Sequence, residues 1–218
     1  MNIATNGITE PLFFALGTGR MTKSSLRLLT DAGISLPVVN NDRKLIIPSE
    51  DGTIRYVMAK PTDIPTMVQY GAADIGICGL DKLRENGSSV YEPLLMPAVQ
   101  ARISLCGPAD RPQTPLRYES QPRVATSYPN ITQRFFRERG INAEVIKMHG
   151  SVELAPLLGL ADLVVDVVET GETLRENGLV EIRTILHTQA ALIVNRASYR
   201  LKADAVKGMI DAMRGVVK

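Results

Sequence analysis

Apolar and polar positions along this chain follow two different periods. Short apolar runs of strand length recur, and between them apolar residues return every three or four positions. That succession predicts an α/β fold. Leu12 to Leu16 reads as the first strand, running into Gly17-Thr18-Gly19-Arg20. A helix is expected from about Thr22, with Leu26, Leu28 and Leu29 on its apolar face and Gly33 as its stop. Lys44 to Ile47 and Thr53 to Ala59 are expected to pair as strands, because Asp51-Gly52 between them is a hairpin signal. Thr62 or Asp63 should cap the next helix, with Pro65 in its first turn, and Asp74 to Cys78 follows as a strand. Pro108, Pro112, Pro115 and Pro122 gather among polar residues and predict a connecting loop near a lobe boundary. Beyond it, Arg123 to Ser127 reads as a strand, and Pro129 opens a helix that closes at Gly140. In the last segment Val206, Met209, Ile210, Met213 and Val217 share one helical face, a stripe expected to serve as core.

One pattern occurs twice. Residues 71–87 and 159–178 each begin Gly-x-Ala-Asp, continue into an apolar strand and a turn, and end Leu-Arg-Glu-Asn-Gly. The pair reads as two similar βαβ lobes. The second copy is longer at the turn from strand to helix, where open α/β sheets bind ligands.

Composition narrows the class. The 218 residues include 44% hydrophobic and 22% charged, enough for two lobes with cores of their own. No apolar run approaches membrane-spanning length, and no basic stretch leads into an apolar one near the start, so the cytoplasm is the expected compartment. The net charge of +2 is spread without a block, which argues against nucleic acid but leaves room for an anionic small molecule. Cys78 and Cys106 lie in separate apolar runs and read as buried free thiols. With His149 and His187 the only histidines and no Cys-x-x-Cys, the common zinc spacings are excluded.

The longer turn is Asp166-Val167-Val168-Glu169-Thr170-Gly171-Glu172-Thr173-Leu174. A strand delivers Asp166 and Glu169, after which Thr170, Gly171 and Thr173 offer hydroxyls and backbone N–H groups at a helix start. Such N–H groups bind phosphate, and Gly171 permits close backbone approach. Acids beside a phosphate make sense if they hold sugar hydroxyls or a magnesium ion, demands that a ribose phosphate meets together. The same residues also read as an ordinary helix capped by Thr170. Taken alone, the turn leaves both readings open.

The stretch Glu153 to Leu174, with Gly159, Ala161, Val164, Asp166, Thr170, Gly171, Thr173 and Leu174 in step, resembles the signature of the ATP phosphoribosyltransferase family. Asp63-Ile64-Pro65 with Tyr70 to Ile77, Arg123 to Asn130, Gly150 to Pro156 and Leu192 to Asn195 resemble further blocks of that family, so the likeness spans nearly the whole chain. It implies two Rossmann-like lobes of the periplasmic-binding-protein type II architecture with a central cleft. Residues 1–100 plus 186–218 would form lobe I on the ATP side, and 101–185 lobe II with the loop for phosphoribosyl pyrophosphate (PRPP). The chain stops at Lys218, directly after the returning helix, and so resembles the short form of the family. The implied partner is a regulatory subunit similar to histidyl-tRNA synthetase, joined to a homodimer of catalytic subunits in a hetero-oligomer.

The resemblance also implies the chemistry. N1 of the adenine of ATP would displace pyrophosphate at the anomeric carbon of PRPP, giving N1-(5-phosphoribosyl)-ATP at the entry to histidine biosynthesis. Mg2+ would act mainly through the phosphates of PRPP and ATP, with no dedicated protein metal site. Asp166 to Leu174 would hold PRPP, with Asp166 or Glu169 near the ribose hydroxyls. Ser151 and Glu153 would line the cleft near the ribose, unless Ser151 only caps its helix. Arg20 and Arg43 would be the catalytic clamps on pyrophosphate or ATP phosphates, and Gly19 and Asp81 would join them on ATP, Asp81 facing the adenine or serving as an N-cap. Gly17-Thr18-Gly19-Arg20 replaces the Pro-Lys-Gly-Arg of many members, and Ser127 stands where several carry lysine, so two cations are absent. The rival expectations are a non-catalytic two-lobed binding or effector module and a phosphoribosyltransferase with another acceptor.

Overall fold

The computed structural model describes residues 10–38, 44–110 and 121–217, leaving aside the side chains of residues 20 and 97–100. The chain divides into two compact units, Met1–Val99 with Gln189–Lys218, and Gln100–Thr188.

In the first unit β1 (Leu12–Gly17) runs parallel to β3 (Ile54–Ala59) and to β4 (Ile75–Gly79). The strand β2 (Ile46–Pro48) adds antiparallel to β3. Its hairpin is set by Asp51, whose carboxylate accepts from the Thr53 N–H at 3.0 Å and the Ser49 hydroxyl at 2.6 Å, while Gly52 takes φ 75°. The final strand β9 (Leu179–Val194) closes the far side, antiparallel to β4 from Ala190 to Val194.

Alternation in β1 sorts the unit into two layers. Leu12, Phe14 and Leu16 face a core with Leu29 of α1 (Arg20–Asp31) and with Val206, Met209, Ile210 and Met213 of α8 (Ala203–Val216). The apolar stripe of the last helix is therefore core. Ala15 faces the other way, onto α2 (Ile64–Gln69) and α3 (Leu80–Asn86). Burying each large side chain such as Phe14 contributes roughly 1.5–3 kcal/mol. The α2 helix starts at Asp63 as expected, but without a side-chain cap bond, because Asp63 itself adopts helical angles.

The second unit repeats this plan. Here β6 (Arg123–Thr126) lies parallel to β7 (Glu144–Lys147) and β8 (Leu163–Val168), and β5 (Tyr91–Pro108) closes antiparallel to β8. Val124, Leu163 and Val165 meet Ile131, Phe135 and Phe136 of α4 (Pro129–Arg137) on one face. Ala125 and Val164 meet Val152 and Ala155 on the other, Ala155 belonging to α5 (Leu154–Leu157). The remaining helices are α6 (Glu172–Glu176) and α7 (Ser198–Leu201).

The repeat is more than a pattern of letters. The Asp74 N–H donates to the Phe13 carbonyl at 2.8 Å, and the Asp74 carboxylate accepts from the Phe13 N–H at 2.8 Å. Asp162 does the same with Arg123, at 2.9 Å in both directions. Each aspartate thus staples the start of one parallel strand to its neighbour. Gly71 and Gly159, three residues before, have φ 75° and 69°, angles that glycine adopts without strain.

The proline-rich segment, expected near a lobe boundary, lies inside the second unit, with residues 111–120 outside the described part. The chain crosses between the units within β5 and again within β9, as continuous strand. A strand keeps its backbone groups paired where an irregular loop would have to find other partners. Among the described residues, no helix is long and apolar enough to cross a membrane.

Candidate functional site

Parallel strands bring the residues that follow them to one edge of their sheet, and open α/β sheets bind ligands at that carboxyl edge. In the second unit the edge collects the turns after β7, β6 and β8. Ser151 and Glu153 follow β7, Ser127 follows β6, and Glu169-Thr170-Gly171 follows β8. Asp166 sits within β8, half-buried, and accepts the Ser127 hydroxyl at 3.3 Å.

The turn after β8 is built from both ends. Val168 is buried, Val167 packs against one core of the unit and Leu174 against the other, so these side chains anchor the turn. Between the anchors Glu169, Thr170, Glu172 and Thr173 are exposed. Gly171, not Thr170, is the N-cap of α6, with φ 73°. The left-handed angle decides this, since threonine would be strained there. A Cβ at Gly171 would also meet the Arg175 Nη1 at 3.4 Å. The Thr170 hydroxyl instead accepts from the Glu172 N–H at 3.3 Å. With only five residues, α6 carries a weak dipole, so what the turn offers an anion is its own N–H groups and hydroxyls.

Two arginines outside the predicted segment touch the turn. Arg102 on β5 donates through Nη1 to the Glu169 carbonyl at 3.2 Å, and Arg175 donates through Nη1 to the Thr170 carbonyl at 3.2 Å. Arg102 also grips Glu181 of β9, Nη2 to Oε2 at 2.6 Å and Nε to both carboxylate oxygens at 2.9 Å. The Ser104 and Thr184 hydroxyls each donate to the same carboxylate at 2.8 Å. Hydrogen bonding to Arg102, with help from Ser104 and Thr184, holds Glu181 down to about 2. Arg102 and Glu181 are 79 positions apart, so no local sequence signal links them.

Ser151 is the other unusual point on this edge. It is exposed and has φ 48°, after Gly150 at φ 146°. A non-glycine residue in that region stores strain, and such residues gather at functional sites. Ser151 does not cap α5, whose N-cap is Glu153. The sequence offered no sign of this strain.

In the first unit the same edge collects the turn after β1 and the turn after β4. Gly19 is the N-cap of α1 at φ 117°, and the helix begins at Arg20 with no side-chain cap bond and no acid in its first turn. The Thr22 hydroxyl donates to the Gly17 carbonyl at 2.5 Å and the Thr18 N–H to the Ala59 carbonyl at 2.9 Å, fixing the turn from below. A twelve-residue helix with no side-chain cap and no acid in its first turn suits an anion. Asp81 is buried in the first turn of α3, its carboxylate 3.5 Å from Lys82 Nζ. It is not the N-cap, a place taken by Gly79. Gly79 has extended angles, and the Asp81 carboxylate occupies the space where its Cβ would stand. Arg43 lies outside the described residues, as does the Arg20 side chain. No cluster of three or more potential metal ligands forms among the described residues.

Comparison with known proteins bears on this arrangement. The family model HisG, ATP phosphoribosyltransferase, matches residues 60–215. The ATP phosphoribosyltransferase of Sorangium cellulosum is 45% identical over 208 residues, covering 95% of this chain and 96% of that protein. That of Caldanaerobacter subterraneus is 44% identical, covering 93% and 96%. Among solved structures, the ATP phosphoribosyl transferase (HisG:HisZ) complex from Thermotoga maritima matches with TM-score 0.84 and 35% identity, over 94% of this chain and 98% of that one. The periplasmic aliphatic sulphonate binding protein SsuA from Escherichia coli matches with TM-score 0.61 at 12% identity, over 95% and 72%. That second likeness shows the two-lobed fold alone.

Proposed function

The chain belongs to the ATP phosphoribosyltransferase family, and from that membership we infer how its residues divide the work. It is a pentosyltransferase that joins ATP to PRPP in the first step of histidine biosynthesis. The division that follows rests on one observation, the turn after β8 with Gly171 at φ 73° and hydroxyls on either side of it.

The 5-phosphate of PRPP is held by the N–H groups of that turn and by the Thr170 and Thr173 hydroxyls. Asp166, half-buried and already accepting from Ser127, takes the ribose hydroxyls, with Glu169 at the exposed rim. Ser151 and Glu153 border the ribose from the turns beyond β7. In the other unit the start of α1 at Gly19 and Arg20 takes a phosphate group of ATP or the departing pyrophosphate, and Arg43 is a second clamp. Asp81 is the proposed contact to the adenine.

Adenine N1 attacks the anomeric carbon while the bond to pyrophosphate breaks, so positive charge grows on the sugar and negative charge on the leaving group. The requirement is charge stabilisation and alignment of two large anions, and no protein nucleophile is called for. Mg2+, bound through the substrate phosphates, would neutralise the leaving pyrophosphate. Asp166 and Glu169 would be the carboxylates that meet such an ion from the protein side. The likeness to the HisG:HisZ complex of Thermotoga maritima supports a second kind of chain as partner, and the proposal is a regulatory subunit joined to a dimer of catalytic chains.

Gly171→Val tests the loop. A β-branched residue cannot take φ 73° without strain, so PRPP affinity should fall by about 100-fold or more while ATP binding stays near the parent's and the chain remains folded, melting about a few degrees lower. Asp166→Ala should weaken PRPP in the same selective way. Calorimetric titration of each ligand reads the result, and normal PRPP affinity in both folded variants defeats the assignment.

A further inference from the structure

We propose that Arg102, locked by Glu181, is a positioning residue that aims the backbone N–H of Thr170 at the phosphate of PRPP. This inference rests on the reading of the turn after β8 as the PRPP loop.

The geometry runs through the peptide plane. All described peptide bonds are trans, so the C=O of one residue and the N–H of the next point in opposite directions. Arg102 Nη1 holds the Glu169 carbonyl at 3.2 Å. The N–H of Thr170 is thereby turned to the opposite side of the turn, away from the guanidinium. Arg175 Nη1 holds the Thr170 carbonyl at 3.2 Å, which sets the Gly171 N–H by the same rule. Two consecutive N–H groups are thus each set by an arginine on the carbonyl of the same peptide, and successive N–H groups are the means by which a turn gathers an anion.

Arg102 can serve as a fixed support because its other nitrogens are already committed. Nε and Nη2 make a fork on the Glu181 carboxylate, and Ser104 and Thr184 fill the remaining acceptor sites on Oε1. Arg102 and Ser104 belong to β5 and Glu181 and Thr184 to β9, so the support is mounted on regular strands. A guanidinium is planar and can direct one nitrogen at a carbonyl while two others engage a carboxylate. An ammonium cannot divide itself in that way. The charge of Arg102 is therefore less important than its shape.

The test is titration of the 218-residue chain with PRPP and, separately, with ATP, in Arg102→Ala, Arg102→Lys and Gly171→Val, alongside melting curves. Both Arg102 variants should bind PRPP about 10- to 100-fold more weakly, with ATP affinity unchanged. Arg102→Lys keeps the charge, so full PRPP affinity in that variant overturns the proposal, whatever Arg102→Ala does. Parallel loss of PRPP and ATP binding with a collapsed melting transition also overturns it, because that marks general damage. Should Arg102→Ala fail to fold, Arg102→Lys decides by the same criteria. If Gly171→Val loses PRPP while both Arg102 variants keep it, the support falls and the loop reading stands. If Gly171→Val binds PRPP normally, the loop reading itself falls.

Discussion

Glu181 is held near 2, below the ordinary 4.5 of a glutamate, chiefly by its bonds from Arg102. A carboxyl depressed on folding contributes stability that is complete above its unfolded value and fades as pH falls through the folded one. The melting temperature of the parent minus that of Glu181→Gln should therefore be constant above about pH 5 and shrink steadily below it. A difference that does not change down to pH 3 would contradict the network. The two thiols make a second residue-scale case. Burial, with smaller contributions from neighbouring carboxylates, pushes Cys78 and Cys106 each up to about 12. A thiol reacts as its thiolate, so neither should label with iodoacetamide at neutral pH until the chain unfolds. Mass spectrometry along a urea series would show modification tracking unfolding, and fast labelling of the folded protein would refute the burial. At this scale the sequence was legible where a residue acts through its own backbone. Gly171 needs only its missing Cβ, and it could be named in advance. Thr170 could be misread as the cap because its neighbour's left-handed angle is not written in the letters.

At the scale of elements, the match between strand face and helix is tightest around Gly76. A Cβ there would come within 2.8 Å of Ile64 Cγ2, 3.1 Å of Val68 Cγ2 and 3.3 Å of the Ala15 Cβ. Two of these belong to α2, so the absent side chain at Gly76 sets how closely that helix lies on β4. Gly76→Ala should cost about 1–3 kcal/mol by overpacking, read as a shift of the urea midpoint with unchanged slope. A neutral or stabilising outcome would mean that α2 yields freely. Elements themselves were well announced. The strands at 12–17, 54–59, 75–79 and 123–126 follow apolar runs, and Gly33, Gly87 and Gly140 stop helices or their final turns at left-handed angles. What the runs could not announce was length. β5 spans Tyr91–Pro108 and β9 Leu179–Val194, and neither has an uninterrupted apolar pattern, because different parts of each strand meet different neighbours.

The whole molecule is one plan used twice. Each unit sets three parallel strands beside an antiparallel closing strand and packs helices on both faces, and the first unit adds the antiparallel β2 at its other edge. Each closing strand also extends into the other unit along the chain. The proposed assembly with a regulatory subunit is tested at this scale. Adding a HisZ-type subunit should raise the rate of phosphoribosyl-ATP formation and bring both chains into one peak by light scattering. An unchanged rate with separate peaks would remove the partner from the proposal. The amino-acid sequence by itself determined the α/β class, the repeat and the family, and it singled out the turn proposed for PRPP, because periodicity, glycine positions and a contiguous signature are local properties. Only the tertiary structure decided which distant groups stand behind that turn. Arg102, Glu169 and Glu181 come together because β5 pairs with β8 in one register and neighbours β9 in the sheet, and register is set by packing of the entire unit.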